Sequence, residues 1–127
     1  MSASSKVVAW FEIPSVDFDR AVRFYETTFD IKLNVQEIGG QPIAVFGYEE
    51  PATGGAIVHN PAAKPTSDGL LVYLNAQPTV DAVLARVEQA GGKTDGPVIK
   101  LPQDIGYIAF ITDTEGNRIG LHSRTNG

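Results

Sequence analysis

The stretch Val7-Val-Ala-Trp-Phe-Glu-Ile-Pro14, followed by Asp17-Phe-Asp-Arg-Ala-Val-Arg-Phe-Tyr25, changes its apolar period within one short span. In the first part Val7, Ala9, Phe11 and Ile13 share one face, while Val8, Trp10 and Glu12 share the other, as alternation in a strand requires. Pro14 cannot donate to a ladder and closes the strand. In the second part Phe18, Ala21, Val22, Tyr25 and Phe29 recur at helical spacing. Asp17 stands where an N-cap belongs, and Asp19 adds favourable charge to the first turn. A strand running directly into an amphipathic helix is the unit from which the rest of the chain is read.

Three extended stretches follow: Ile31 to Ile38, broken at Gly39-Gly40; Pro42 to Tyr48; and Gly54 to His59, set off by a turn around Pro51 to Gly54. The order then repeats. Leu70 to Asn75 reads as a strand, and Pro78 and Thr79 open a second helix. Val80, Val83, Leu84 and Val87 form the apolar stripe of that helix, and Gly91-Gly92 stops it. Val98 to Leu101, Tyr107 to Thr112 and Arg118 to Ser123 read as strands, the last two joined by Asp113-Thr-Glu-Gly-Asn117. The polar, proline-containing run Asn60 to Asp68 marks the connection between halves. The expected organisation is one domain, 1–127, with modules over 7–60 and 70–124 and a linker over 61–69. The repeat lies in the pattern, since identity between the halves is low.

With 127 residues, 43% hydrophobic and 20% charged, the chain can bury a proper core. A net charge of −5 argues against a nucleic-acid surface and leaves no basic patch for an anionic membrane. No cysteine is present, which excludes disulfides and thiolate chemistry. No apolar run approaches signal-peptide or membrane-helix length, so the expected location is the cytoplasm. Phosphate-cradling glycine loops and the Gly-x-Ser-x-Gly elbow are both missing.

Phe11-Glu-Ile-Pro14, Asp17-Phe-Asp-Arg-Ala21, Phe24-Tyr25, Gly54-Gly-Ala56, Val72-Tyr-Leu74, Ala90-Gly-Gly-Lys93 and Asp113-Thr-Glu-Gly-Asn-Arg-Ile-Gly-Leu121 occur in one order along almost the whole chain. In that order the sequence resembles the vicinal-oxygen-chelate superfamily, which includes glyoxalase I, bleomycin-resistance proteins and extradiol dioxygenases. The resemblance implies an α+β fold in which two βαβββ modules form a curved, eight-stranded, open barrel-like sheet. It also implies a homodimer, and a small-molecule cavity on the sheet. In glyoxalase-like members a divalent metal is held by one residue from the first and last strand of each module. By register those positions fall on Trp10, Ile57, Leu71 and Gly120, none of which can ligate through its side chain. The expectation is therefore a ligand-binding site with no metal and no cofactor.

Two residues further along each strand lies a second ring, Glu12, His59, Tyr73 and His122. The two histidines occupy matching places in the strings Ala-Ile-Val-His-Asn and Ile-Gly-Leu-His-Ser. Three readings stand side by side. Glu12 and His122 could perform metal-independent acid–base catalysis of lyase or isomerase type. Glu12, His59 and His122 could form a relocated metal site of two histidines and a carboxylate. Or the histidines could be ordinary hydrogen-bonded side chains, with Glu12 paired to Arg118 or Arg124. Trp10 and Tyr73 would supply a stacking wall for a planar ligand, or simply fill space. Two functions follow: a glyoxalase-like protein of uncharacterised activity that binds a small organic molecule in the sheet cavity without the usual divalent metal, or a non-catalytic module that sequesters a metabolite or a cationic drug, as bleomycin-resistance proteins do.

Overall fold

A computed structural model describes residues 2–126. Module one contains β1 (Trp10–Pro14), α1 (Phe18–Phe29), β2 (Asn34–Ile38), β3 (Gln41–Val45) and β4 (Gly54–Val58). Module two contains β5 (Tyr73–Asn75), α2 (Val80–Val87), β6 (Lys93–Thr94), β7 (Ile99–Leu101), β8 (Gly106–Thr112) and β9 (Arg118–Ser123). The first sheet runs β1-β4-β3-β2, and the second runs β5-β9-β8, with β6 and β7 both pairing β8. In each module the first and last strands are parallel, and the others are antiparallel. The sheets are open and curved, as the resemblance implies.

Among the described residues there is one strand segment more than the eight expected. Lys93–Thr94 pairs Ile111 and Thr112, whereas Ile99–Leu101 pairs Gly106 to Ile108. Gly96, at φ +82°, and Pro97 interrupt what is a single second strand in module one. β1 is also shorter than the alternation from Val7 suggests. Its partner β4 begins at Gly54, opposite Trp10, so Val7 to Ala9 have no ladder to join, and Val7 stays 77% exposed.

Both helices start where their caps stand. Asp17 accepts from the Arg20 amide and Thr79 from the Ala82 amide. α1 ends on Asp30 in the left-handed conformation, and the Ile31 amide still bonds back to Glu26. That spill of helix is why β2 begins only at Asn34. After α2 the chain turns at Gly91, φ +104°. At Gly92 any side chain would strike the Phe24 ring and the Thr112 carbonyl.

One core joins the modules. Ile13, Ala21, Phe24, Tyr25 and Ile57 meet Val80, Val83, Val87, Ile111 and Leu121 in it, and α1 packs on α2. Polar side chains fasten the same seam. Glu115, in the β8–β9 hairpin, accepts the backbone amides of Val16 (2.8 Å) and Asp17 (2.7 Å) at the start of α1. It also takes Arg20 Nε and Nη2 at 2.8 and 3.1 Å. Tyr25 Oη donates to Asp113 at 2.7 Å, and Asn117 Nδ2 donates to the Pro14 carbonyl at 2.8 Å. Arg86 of α2 donates to the Thr28 carbonyl near the end of α1, at 2.9 Å. Pro14, Asp17, Arg20, Tyr25, Asp113, Glu115 and Asn117, which belong to the motifs of the family resemblance, thus meet in this clasp.

Candidate functional site

Strand pairing fixes which side chains share a face. In module one Ile13 lies beside Ile57, and Glu12 beside Ala56; in module two Leu74 lies beside Leu121, and Tyr73 beside Gly120. Ile13, Ile57, Leu74 and Leu121 belong to the helix-side core. The other face of each sheet is free of helices, and it carries Trp10 and Glu12 in one module, and Tyr73, Gly120 and His122 in the other.

Two expected site residues change sides as a result. Ile57 was expected on the cavity face; it is fully buried against the helices, at 0% exposure. His59, two residues on, follows it to the helix side, where Nδ1 bonds the Ser15 carbonyl at 3.0 Å. Matching the modules by pairing aligns Ala56 with Gly120, Ile57 with Leu121, and Val58 with His122. The two histidines are therefore not equivalent, although their sequence strings suggest it. His122 keeps to the helix-free side, half-buried, with Nε2 donating to the Ile105 carbonyl at 2.7 Å.

Glu12, His59 and His122 consequently do not form a shared ligand set. Among the described residues no group of three His, Cys, Asp or Glu side chains could hold a metal ion. With β4 in this register the metal positions that the resemblance implies would be Trp10, Ala56, Leu71 and Gly120, whose side chains offer no donor atom for a divalent cation. Gly120 is blocked as well: a Cβ there would lie 2.5 Å from the Tyr73 ring, which rests on the glycine. These residues do not fit the metal, and no chemistry is routed through one. Among the described residues Glu12 makes no ion pair with Arg118 or Arg124; it is exposed, and its contact is a long 3.4 Å hydrogen bond from Trp10 Nε1.

What the helix-free faces offer is aromatic surface over small residues. Trp10, 40% exposed, meets Tyr48 edge-to-face at 6.0 Å, and the Tyr48 ring covers Gly54. Tyr73, 46% exposed, meets Phe110 at 5.9 Å, and the Arg118 guanidinium stacks 4.3 Å over Phe110. Tyr48 and Phe110 are partners that sequence reasoning missed. Phe110 was legible as a strand residue of the same parity as Thr112, but Tyr48 lies beyond the end of β3, where alternation gives no guidance.

A larger concavity than these surfaces offer lies elsewhere. It is about 590 Å³ and opens at the seam between modules, lined by Phe11, Phe29 and Phe46 on one side and Leu71, Val72 and Leu74 on the other. Of the expected site residues only Leu71 and Tyr73 reach it; Trp10, Glu12, His122 and Gly120 do not.

The model of the Glyoxalase/Bleomycin resistance protein/Dioxygenase superfamily matches residues 7–121. A glyoxylase-like domain-containing protein from Didymella fabae is 30% identical over 123 residues, covering 92% of this chain and 93% of its own. Among solved structures, a glyoxalase/bleomycin resistance protein from Streptomyces sp. CB03234 is 28% identical, with a TM-score of 0.66 over 90% of this chain and 97% of that one. TnmS3, an antibiotic binding protein from the same organism, is 26% identical, with a TM-score of 0.67 over 99% and 100%. The chain belongs to the Glyoxalase/Bleomycin resistance protein/Dioxygenase superfamily. No helix among the described residues is long and apolar enough to cross a membrane.

Proposed function

We propose that this protein binds a planar organic molecule with a positively charged end, without a metal, and sequesters it rather than transforming it. The observation that carries this reading is the Trp10–Glu12–Tyr48 group: an exposed carboxylate beside two aromatic rings, over the small residues Gly54 and Ala56. Rings stack a planar ligand, and a neighbouring carboxylate with two ring faces favours a cation. The net charge of −5 adds long-range attraction of the same sign. Likeness to an antibiotic binding protein supports binding as the activity. Both histidines are tied to backbone carbonyls, which supports a structural role for them.

The same reading includes a homodimer. Ile38 and Ile99 stand exposed on the helix-free faces of the two sheets, and a second copy would cover them. Sedimentation equilibrium giving twice the chain mass supports this, and a monomer at all concentrations removes it.

The binding test is fluorescence titration with two planar cations, ethidium and acridine orange. Saturable binding that survives chelator and weakens about tenfold in Glu12→Gln, from loss of one charge contact, is the expected result. Affinity unchanged in both Glu12→Gln and Trp10→Ala defeats it. Turnover that survives chelator and dies in Glu12→Gln would make the protein an enzyme, with Glu12 as acid–base group.

A further inference from the structure

The β8–β9 hairpin of module two, residues 113–117, grips the end of β1 and the start of α1 through Glu115, Asp113 and Asn117. The corresponding connection of module one, residues 46–53, faces β5 and the segment leading to α2. There no such grip forms: Phe46, Gly47 and Thr53 stand across a 590 Å³ cavity from Leu71 to Asn75 and Gln77. Two equivalent seams thus have opposite fillings, one polar and closed, the other apolar and open.

The open seam has the attributes of a small-molecule site. Its volume falls in the range of ligand pockets, about 300–1,000 Å³. Its walls are mostly phenylalanine and aliphatic side chains, with Thr53, Tyr73, Asn75 and Gln77 as the polar lining residues, and none of its lining residues carries a formal charge. β5 also supplies hydrogen-bonding groups. The Val72 carbonyl and the Ala76 amide bond to β9, so the alternation of a parallel strand turns the backbone amides and carbonyls of Tyr73 and Asn75 the other way. β5 is an edge strand, and Tyr73 and Asn75 both line the cavity.

We infer that the seam cavity is a second binding site, for a neutral, mostly apolar molecule with an amide, amine or carbonyl edge that pairs with the free backbone of Tyr73 and Asn75. A charged ligand would lose its hydration there without a counter-charge. The site is separate from the cation-binding face proposed above, and neither depends on the other.

Gly47 allows a direct test. It lines the cavity, its φ lies outside the left-handed region, and a Cβ there meets nothing within 4 Å. Gly47→Phe should therefore fill the cavity without straining the fold. The probes are neutral N-phenyl-1-naphthylamine, its anionic relative 1-anilinonaphthalene-8-sulfonate, and ethidium, each titrated against wild type and Gly47→Phe. The expected result is saturable, blue-shifted binding of the neutral probe, at least about tenfold tighter than the anionic one, and lost by about tenfold or more in Gly47→Phe. Ethidium binding, which reports the outer face, should be the same in both proteins. No saturable binding of the neutral probe to wild type overturns the inference, and so does equal affinity in Gly47→Phe or a parallel loss of both probes. Should Gly47→Phe not fold, methyl resonances of wild type decide. Shifts at Ile31 and Leu74 support the seam, and shifts confined to Ile43 and Ile108 on the outer faces overturn it.

Discussion

Arg20 Nε donates to Glu115 Oε2 across 2.8 Å, and this pair ties the first helix of one module to the β8–β9 hairpin of the other. The two residues are far apart in sequence, and Glu115 is buried while Arg20 is half-exposed. Glu115 also accepts the Val16 and Asp17 amides just ahead of α1, where the helix end favours an anion. Burial alone would raise its pKa; the Arg20 guanidinium, the Asp17 and Val16 amides and the Thr114 hydroxyl outweigh that and bring it down to about 2.

An acid-sensitive stability follows. The folded pKa lies below the unfolded value of 4.5, so the contribution is complete above pH 4.5 and is lost as the pH falls towards 2. The shift corresponds to roughly 3 kcal/mol at neutral pH. Urea unfolding between pH 2 and 7 should show Glu115→Gln destabilised by about that amount at pH 7 and level with wild type near pH 2. An identical pH slope in both proteins would place the source of acid sensitivity elsewhere.

Ile57 gives a second test, of its place in the core. With its side chain fully buried between β4 and the helices, Ile57→Ala should cost about 2–5 kcal/mol of unfolding free energy. A side chain lining an open ligand surface would cost far less, so a loss under about 1 kcal/mol contradicts the core placement.

Gly120 and Tyr73 should behave as a coupled pair. Gly120→Ala forces the Tyr73 ring off its seat and should cost about 1–3 kcal/mol. In a Tyr73→Ala background the same change should be nearly neutral, giving a coupling energy of at least about 1 kcal/mol in a double-mutant cycle. Additive effects would mean that the ring does not hold the glycine position closed.

Divalent metals supply a fourth. Because Trp10, Ala56, Leu71 and Gly120 present no donors, millimolar zinc, nickel or manganese should leave the melting temperature unchanged, as should chelator. A ligand bound at 100 times its Kd would raise stability by about 2.7 kcal/mol, so a specific site would be visible as a clear upward shift.

Local physics made much of the fold legible. Asp17 and Thr79 are caps because a short side-chain oxygen satisfies free amides at a helix start, and both do so in the structure. β9 runs over the expected Arg118–Ser123 because alternation and the preceding turn both bound it. Where an end depends on a distant partner, the chain alone misleads. Val7 to Ala9 alternate like a strand yet find no ladder, and Lys93–Thr94 is too short to show a pattern and exists because β8 is long enough to pair it.

The candidate site divides in the same way. Trp10, Glu12, Tyr73, Gly120 and His122 were found on the helix-free face because parity within a strand is a local property. Ile57 and His59 were misplaced because parity between strands is not local: sliding one strand by a single residue exchanges its two faces.

The sequence by itself determined the helices, the order of most strands and the helix caps, which follow from spacing and side-chain chemistry within a few residues, and its motifs carried the family resemblance. Only the tertiary structure decided which residue of β4 stands beside Glu12, that Asp113, Glu115 and Asn117 lock one seam, and that the matching seam stays open. Those depend on register and on groups brought together from opposite ends of the chain, and no periodicity along a strand encodes the partner it will meet.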